Sequence, residues 1–183
     1  MRLTALSAAF AASLWLVPNA LAAETQGDTY YRCVADRIDP NVGSAMMNTL
    51  LSSAGLAERS EVPTPDIDAL LDQCVASLSL PPEKAEPFTD LVVAAIFRDE
   101  ARSRLNALGF DLGWIDEILA EELVEVPKSN AEFVAENSER ILEGVLARID
   151  ESDPNGRMIG ALLDAYLTGR VRFAIYEQRL IGG

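Results

Sequence analysis

The 183-residue chain holds 29 acidic and 15 basic side chains, giving a formal charge of −14 at neutral pH. Acidity of that size repels phosphate backbones and anionic headgroups, which argues against nucleic acid and membrane surfaces as partners and leaves basic proteins open. Histidine is absent, which removes Ser-His-Asp and Cys-His catalysis and every His-ligated metal site. With no phosphate-binding glycine loop and no cluster of metal-ligand spacing in the sequence either, neither a cofactor nor a metal is expected.

The chain opens with Met1-Arg2, an apolar run from Leu3 to Val17, a break at Pro18-Asn19 and the small-residue site Ala20-Leu21-Ala22. These are the three parts of a secretory signal, so residues 1–22 are expected to be a cleaved signal peptide and 23–183 one helical domain of an exported protein, periplasmic or extracellular. The 15-residue run falls short of the roughly 20 residues that span a bilayer, so the mature chain is not expected to insert in a membrane. Loss of Arg2 with the signal would take the charge from −14 to −15.

Past the signal, apolar residues recur at helical intervals. Asp28 to Ile38 carries Tyr31, Val34, Ala35 and Ile38 on one stripe, with Cys33 at its edge. Asp39-Pro40 starts a second helix, with Asp as N-cap and Pro at the first helical position, that holds Met46, Met47, Leu50 and Leu51 and stops at Gly55. Ala57 to Pro65 is expected to be a loop, after which Asp66 begins a helix bearing Ile67, Leu70, Leu71, Cys74, Val75 and Leu78. Cys74 therefore faces the core. As the only cysteines in a chain addressed to an oxidising compartment, Cys33 and Cys74 are expected to form a disulfide.

Pro81-Pro82 opens a long helix to Leu108, capped by Gly109. Asp111 starts a short one with Ile115, Ile118, Leu119 and Leu123, ended by Pro127. Ser129-Asn130-Ala131-Glu132 reads as a capping box opening a helix whose buried face is expected to be Val134, Ile141, Leu142, Val145, Leu146 and Ile149. Asp153-Pro154 leads into a last helix ending near Leu180. Its apolar residues exceed one buried stripe, so it is expected to run through the centre of the bundle, with a face for a second copy, and hence a homodimer, as the alternative. Strand signals are nearly absent. The fold class is all-α, an irregular bundle of six or seven helices with one disulfide.

For chemistry the chain offers carboxylates, hydroxyls and arginines. Glu151-Ser152 resembles the Glu-Ser at the catalytic acid of lytic transglycosylases over those residues; the Gly-Leu-Met-Gln segment is missing, and only 31 residues follow Ser152. The same stretch can be laid on a calcium loop through Glu151, Asp153, Asn155 and Gly156, but its twelfth position is Leu162, where a bidentate Glu is required. No catalytic residue is assigned.

The most unusual stretch is Asp111 to Val126, with six carboxylates and no basic residue. Glu117, Glu121 and Glu125 fall on one helical face, and like charges at that spacing disfavour the helix unless arginines from elsewhere cover them. Arg98, Arg102, Arg170 and Arg172 are the arginines considered for that role. With Trp114 beside it, this face is the expected docking surface for a basic protein partner. The sequence thus points to a non-enzymatic, exported binding protein, of inhibitor or accessory type, in the bacterial cell envelope. The alternative is a carboxylate-dependent hydrolase or lytic enzyme of cell-wall glycans.

Overall fold

The structure is a computed structural model, described over residues 25–57, 67–149 and 153–182. The signal segment 1–22, most of the Ala57 to Pro65 loop and the Glu151-Ser152 pair lie outside these residues. Among the described residues there are seven helices and no strand: α1 (Gln26–Ala35), α2 (Asn41–Ser53), α3 (Asp68–Ser77), α4 (Pro82–Ala107), α5 (Gly113–Glu122), α6 (Asn130–Leu146) and α7 (Gly156–Ile181).

Short-range chemistry sets most helix starts. Asp39, Asp111 and Asp153 each accept, through Oδ1, the backbone N–H two residues on, at 2.8, 2.9 and 2.8 Å. Such a turn holds a donor that the first helical turn cannot satisfy. In α2 it places Pro40 rather than Asp39 at the N-cap, and the helix begins at Asn41. α1 begins earlier than Asp28, because Thr25 caps it in a reciprocal box with Asp28. Gly55 and Gly109 end α2 and α4 with φ of +70° and +74°, the left-handed region where a glycine avoids the clash of a Cβ.

α4 and α7 are the longest helices, 26 residues each, and pack against one another more extensively than any other pair. They run antiparallel: Lys84, in the first turn of α4, donates from Nζ to the carbonyls of Arg179 and Gly182 at the end of α7, both at 2.7 Å. Two apolar clusters flank this axis. One gathers Val34, Leu71, Cys74, Phe88, Leu91 and Phe173 from α1, α3, α4 and α7. The other gathers Met47, Leu105, Ile115, Leu119, Phe133 and Tyr166 from α2, α4, α5, α6 and α7. The breadth of apolar residues on α7 is thus accounted for by a central position within the bundle.

Cys33 and Cys74 are bridged, with their Cα atoms 5.9 Å apart, and tie α1 to α3. Closing a loop of that length stabilises the fold by about 4 kcal/mol on the chain-entropy account.

The expected face of α6 is corrected. Phe133 and Asn137 are the buried residues of this helix and Ile141 and Val145 are half-buried, whereas Val134, Leu142 and Leu146 are 44%, 57% and 64% exposed. Phe133 is the largest side chain on the helix and buries the most area, and Gly144 leaves room for a large neighbour. Together they turn the helix away from the orientation that its aliphatic residues alone would select.

Candidate functional site

α6 starts at Ser129, whose hydroxyl accepts from the Glu132 N–H at 3.2 Å. The Glu132 carboxylate reaches back to the N–H of Lys128 at 2.7 Å rather than to that of Ser129. On the inner side, the buried Asn137 amide donates to the Phe133 carbonyl at 3.1 Å. One turn beyond the half-buried Ile141, Gly144 receives the Trp114 ring of α5: a Cβ there would overlap its Cζ3.

Arg140 of α6 and Arg148, just past its end, are both committed to the α5 side. Arg148 stacks over the Trp114 ring, 4.7 Å from its centroid, and donates to the Gly144 carbonyl at 3.1 Å. Arg140 donates to Glu121 at 2.7 Å and to Glu122 at 3.2 Å. Those carboxylates, Glu121 foremost through its hydrogen bond, hold the Arg140 guanidinium more firmly in its charged form.

The outer side carries two parallel rows. Val134, Ser138, Leu142 and Leu146 follow at four-residue steps, all exposed, and span about 18 Å at 1.5 Å per residue. Beside them Glu136, Glu139 and Glu143, also exposed, follow at three- and four-residue steps. None of these three carboxylates has a side-chain partner among the described residues. The outer surface is therefore an apolar stripe edged by uncompensated negative charge. Alone it is unfavourable on both counts, leaving leucines in water and like charges on adjacent turns.

The acidic stretch anticipated as a docking face is arranged differently along its length. Glu117 and Glu121 are exposed on α5, but the helix ends at Glu122, so the exposed Glu125 does not extend their row. Glu121 is held by Arg140, an arginine not among those considered from the sequence. Of those that were, Arg102 covers part of the stretch, pairing with Asp116 at 3.1 Å. Arg98 instead pairs with Asp28 and Asp99, and Arg172 hydrogen-bonds Tyr176. Trp114 is half-buried against α6, and its indole N–H is buried without a partner among the described residues.

Arg102, Asp116 and Tyr166 form a second polar cluster, in which the Tyr166 hydroxyl donates to Asp116 and accepts from Arg102. Burial first, and the bond to Asp116 second, push the Tyr166 hydroxyl above the ordinary phenol range. This cluster joins α4, α5 and α7.

A cleft of about 530 Å³ opens between α1, α7 and the α5–α6 connection, floored by Phe173, Ala174 and Ile181. Asp28 and Glu177 both line it. Asp28 is committed to the α1 capping box and to Arg98, 3.5 Å away, while Glu177 accepts from the Gly27 N–H. Among the described residues no three Asp, Glu or Cys side chains gather as a metal cage, and Asp153 and Asn155 of the calcium-loop alignment form the turn that starts α7.

Compared with known protein families, curated proteins and solved structures, the chain matches none.

Proposed function

We propose that this chain is an exported, non-enzymatic binding protein of the bacterial cell envelope, and that it takes a protein partner on the outer side of α6. The observation that carries this reading is the exposed row Val134, Leu142 and Leu146 lying beside Glu136, Glu139 and Glu143. Exposed apolar side chains sharing one helical face beside unpaired charge are the mark of an interaction site in a folded domain. The site lies on α6 rather than on Glu117, Glu121 and Glu125, because Arg140 already engages Glu121 and Trp114 is packed inward.

Crosslinking of the tagged mature chain in its own envelope fraction, beside the Leu142→Ser/Leu146→Ser variant, tests this. The reading requires a crosslinked species that the variant loses while its melting curve stays within about 0.5 kcal/mol of the parent, as for surface changes. Equal crosslinking by both chains contradicts it.

The second reading, a carboxylate-dependent glycan hydrolase, draws on the cleft that holds Asp28 and Glu177. Glycoside cleavage needs one carboxyl to give a proton and another to act as nucleophile or base, and both of these carboxylates already accept structural hydrogen bonds, Asp28 from Thr25 and Glu177 from the Gly27 N–H. Release of soluble fragments from peptidoglycan, lost in Glu177→Gln, would establish that reading in place of the first.

A further inference from the structure

Resting on the reading of α6 as a docking surface, we infer that its occupant is a basic amphipathic helix of another protein, laid along the Val134–Leu146 row. Val134, Leu142 and Leu146 form a single narrow row a little over three turns long, interrupted at Ser138, which suits a rod with its own apolar stripe rather than a globular patch.

Charge decides what flanks that stripe. Glu136, Glu139 and Glu143 lack side-chain partners among the described residues, and the nearby arginines, Arg140 of α6 and Arg148 just past its end, are engaged with α5. Among the described residues no cation pairs with this acidic edge. Lysine or arginine on the incoming helix would cover the leucines with its aliphatic stem and set its charged head against the carboxylates. It would also relieve the repulsion between Glu139 and Glu143, one turn apart.

A second copy of the chain fits worse. Antiparallel packing of two α6 helices about a two-fold axis sets one acidic edge against the other, between subunits that each carry a formal charge of −14.

The test uses the mature chain and three synthetic peptides of about 18 residues, enough to cover the stripe: a Leu/Lys sequence patterned as an amphipathic helix, the same composition scrambled, and a Leu/Glu amphipathic helix. Calorimetry should show saturable one-to-one binding of the first, weaker by at least about tenfold in Leu142→Ser/Leu146→Ser. Association should be about tenfold slower at low salt in Glu136→Gln/Glu139→Gln/Glu143→Gln, because complementary charge mainly sets the encounter rate. The inference is overturned if the scrambled peptide binds as tightly, if the Leu/Glu helix binds as well as the Leu/Lys one, or if the stripe variant binds unchanged. It is also overturned if the chain sediments as a dimer that the stripe variant abolishes. If these peptides fail while the stripe variant still loses its crosslinked envelope partner, the occupant is of another class and the docking reading stands. If neither result depends on the stripe, both fall.

Discussion

Two helix contacts in this chain are each made at a glycine, and they differ in what lies across from the missing side chain. At Gly169 of α7 it is backbone: a Cβ would come within 2.9 Å of both the Ala94 carbonyl oxygen and the Arg98 nitrogen of α4. At Gly144 of α6 it is the Trp114 ring. Backbone within a helix cannot yield without moving the helix, whereas an indole can swing about its χ angles. The α4–α7 axis is therefore fixed by close approach of two main chains. α6 and the turn that follows it are attached through one aromatic ring, two arginines and a short inner row. A helix held on one side in this way has a second side to offer, and that is where the unburied leucines lie.

The largest effect expected within this contrast belongs to the disulfide that fastens α1 and α3 beside the axis. Replacing Cys33 and Cys74 together by serine should lower the unfolding free energy by about 4 kcal/mol in urea titration, less any structure kept in the unfolded chain. A loss under about 1 kcal/mol would mean that α3 is held by packing alone. Gly169→Ala comes next. Forcing the helices apart costs up to about 3 kcal/mol, against roughly 1 kcal/mol gained in helix propensity, for a net loss near 2 kcal/mol. An unchanged midpoint would show that the axis yields as easily as α6 does.

Gly144→Ala should cost less than Gly169→Ala in global stability and act locally. In a chain beginning at Ala23, Trp114 is the sole tryptophan, so its displacement should appear as a red shift of emission. Retention of the parent spectrum would contradict the seating of the ring on Gly144. The smallest effect is electrostatic and sits on the rigid side. Burial first, and Asp99 second, push the Tyr31 hydroxyl from 10.0 up to about 12. A folded-state value above the unfolded one means that the native state keeps its proton longer. The contribution is fully present below pH 10.0 and is lost as pH climbs towards about 12. Tyr31→Phe should flatten the fall of the melting midpoint over that interval. An identical fall in the variant would assign it to other groups.

The same contrast explains what could be read from the residues alone. Helix starts at Asp39, Asp111 and Asp153, stops at Gly55 and Gly109, and the Cys33–Cys74 bridge are legible because each is set by local chemistry or by the only available pairing. The buried face of α6 is not, because its aliphatic periodicity is satisfied by two orientations. The choice between them is made by Phe133 and by a tryptophan 30 residues away in sequence, at Trp114. The acidic stretch announces charge but not which arginine meets it, and Arg140 is brought to Glu121 only by the α5–α6 packing. The one local cue to the outer surface is composition: Val134, Leu142 and Leu146 share their helix with Glu136, Glu139 and Glu143, and a helix so patterned has apolar residues to bury and charges to pair.

The central claim is that α6 is held on one side and receives a partner on the other, and hydrogen exchange read by mass spectrometry tests it most directly. In the free mature chain, amides of α6 should exchange faster than those of the α4 and α7 centres, since local opening follows the density of buried contacts. On saturation with the Leu/Lys helix, protection should rise across residues 130–146 and stay level in α1, α3 and α4. Equal protection of α6 and α4 in the free chain, or a gain centred on the cleft beside Glu177, would contradict the account.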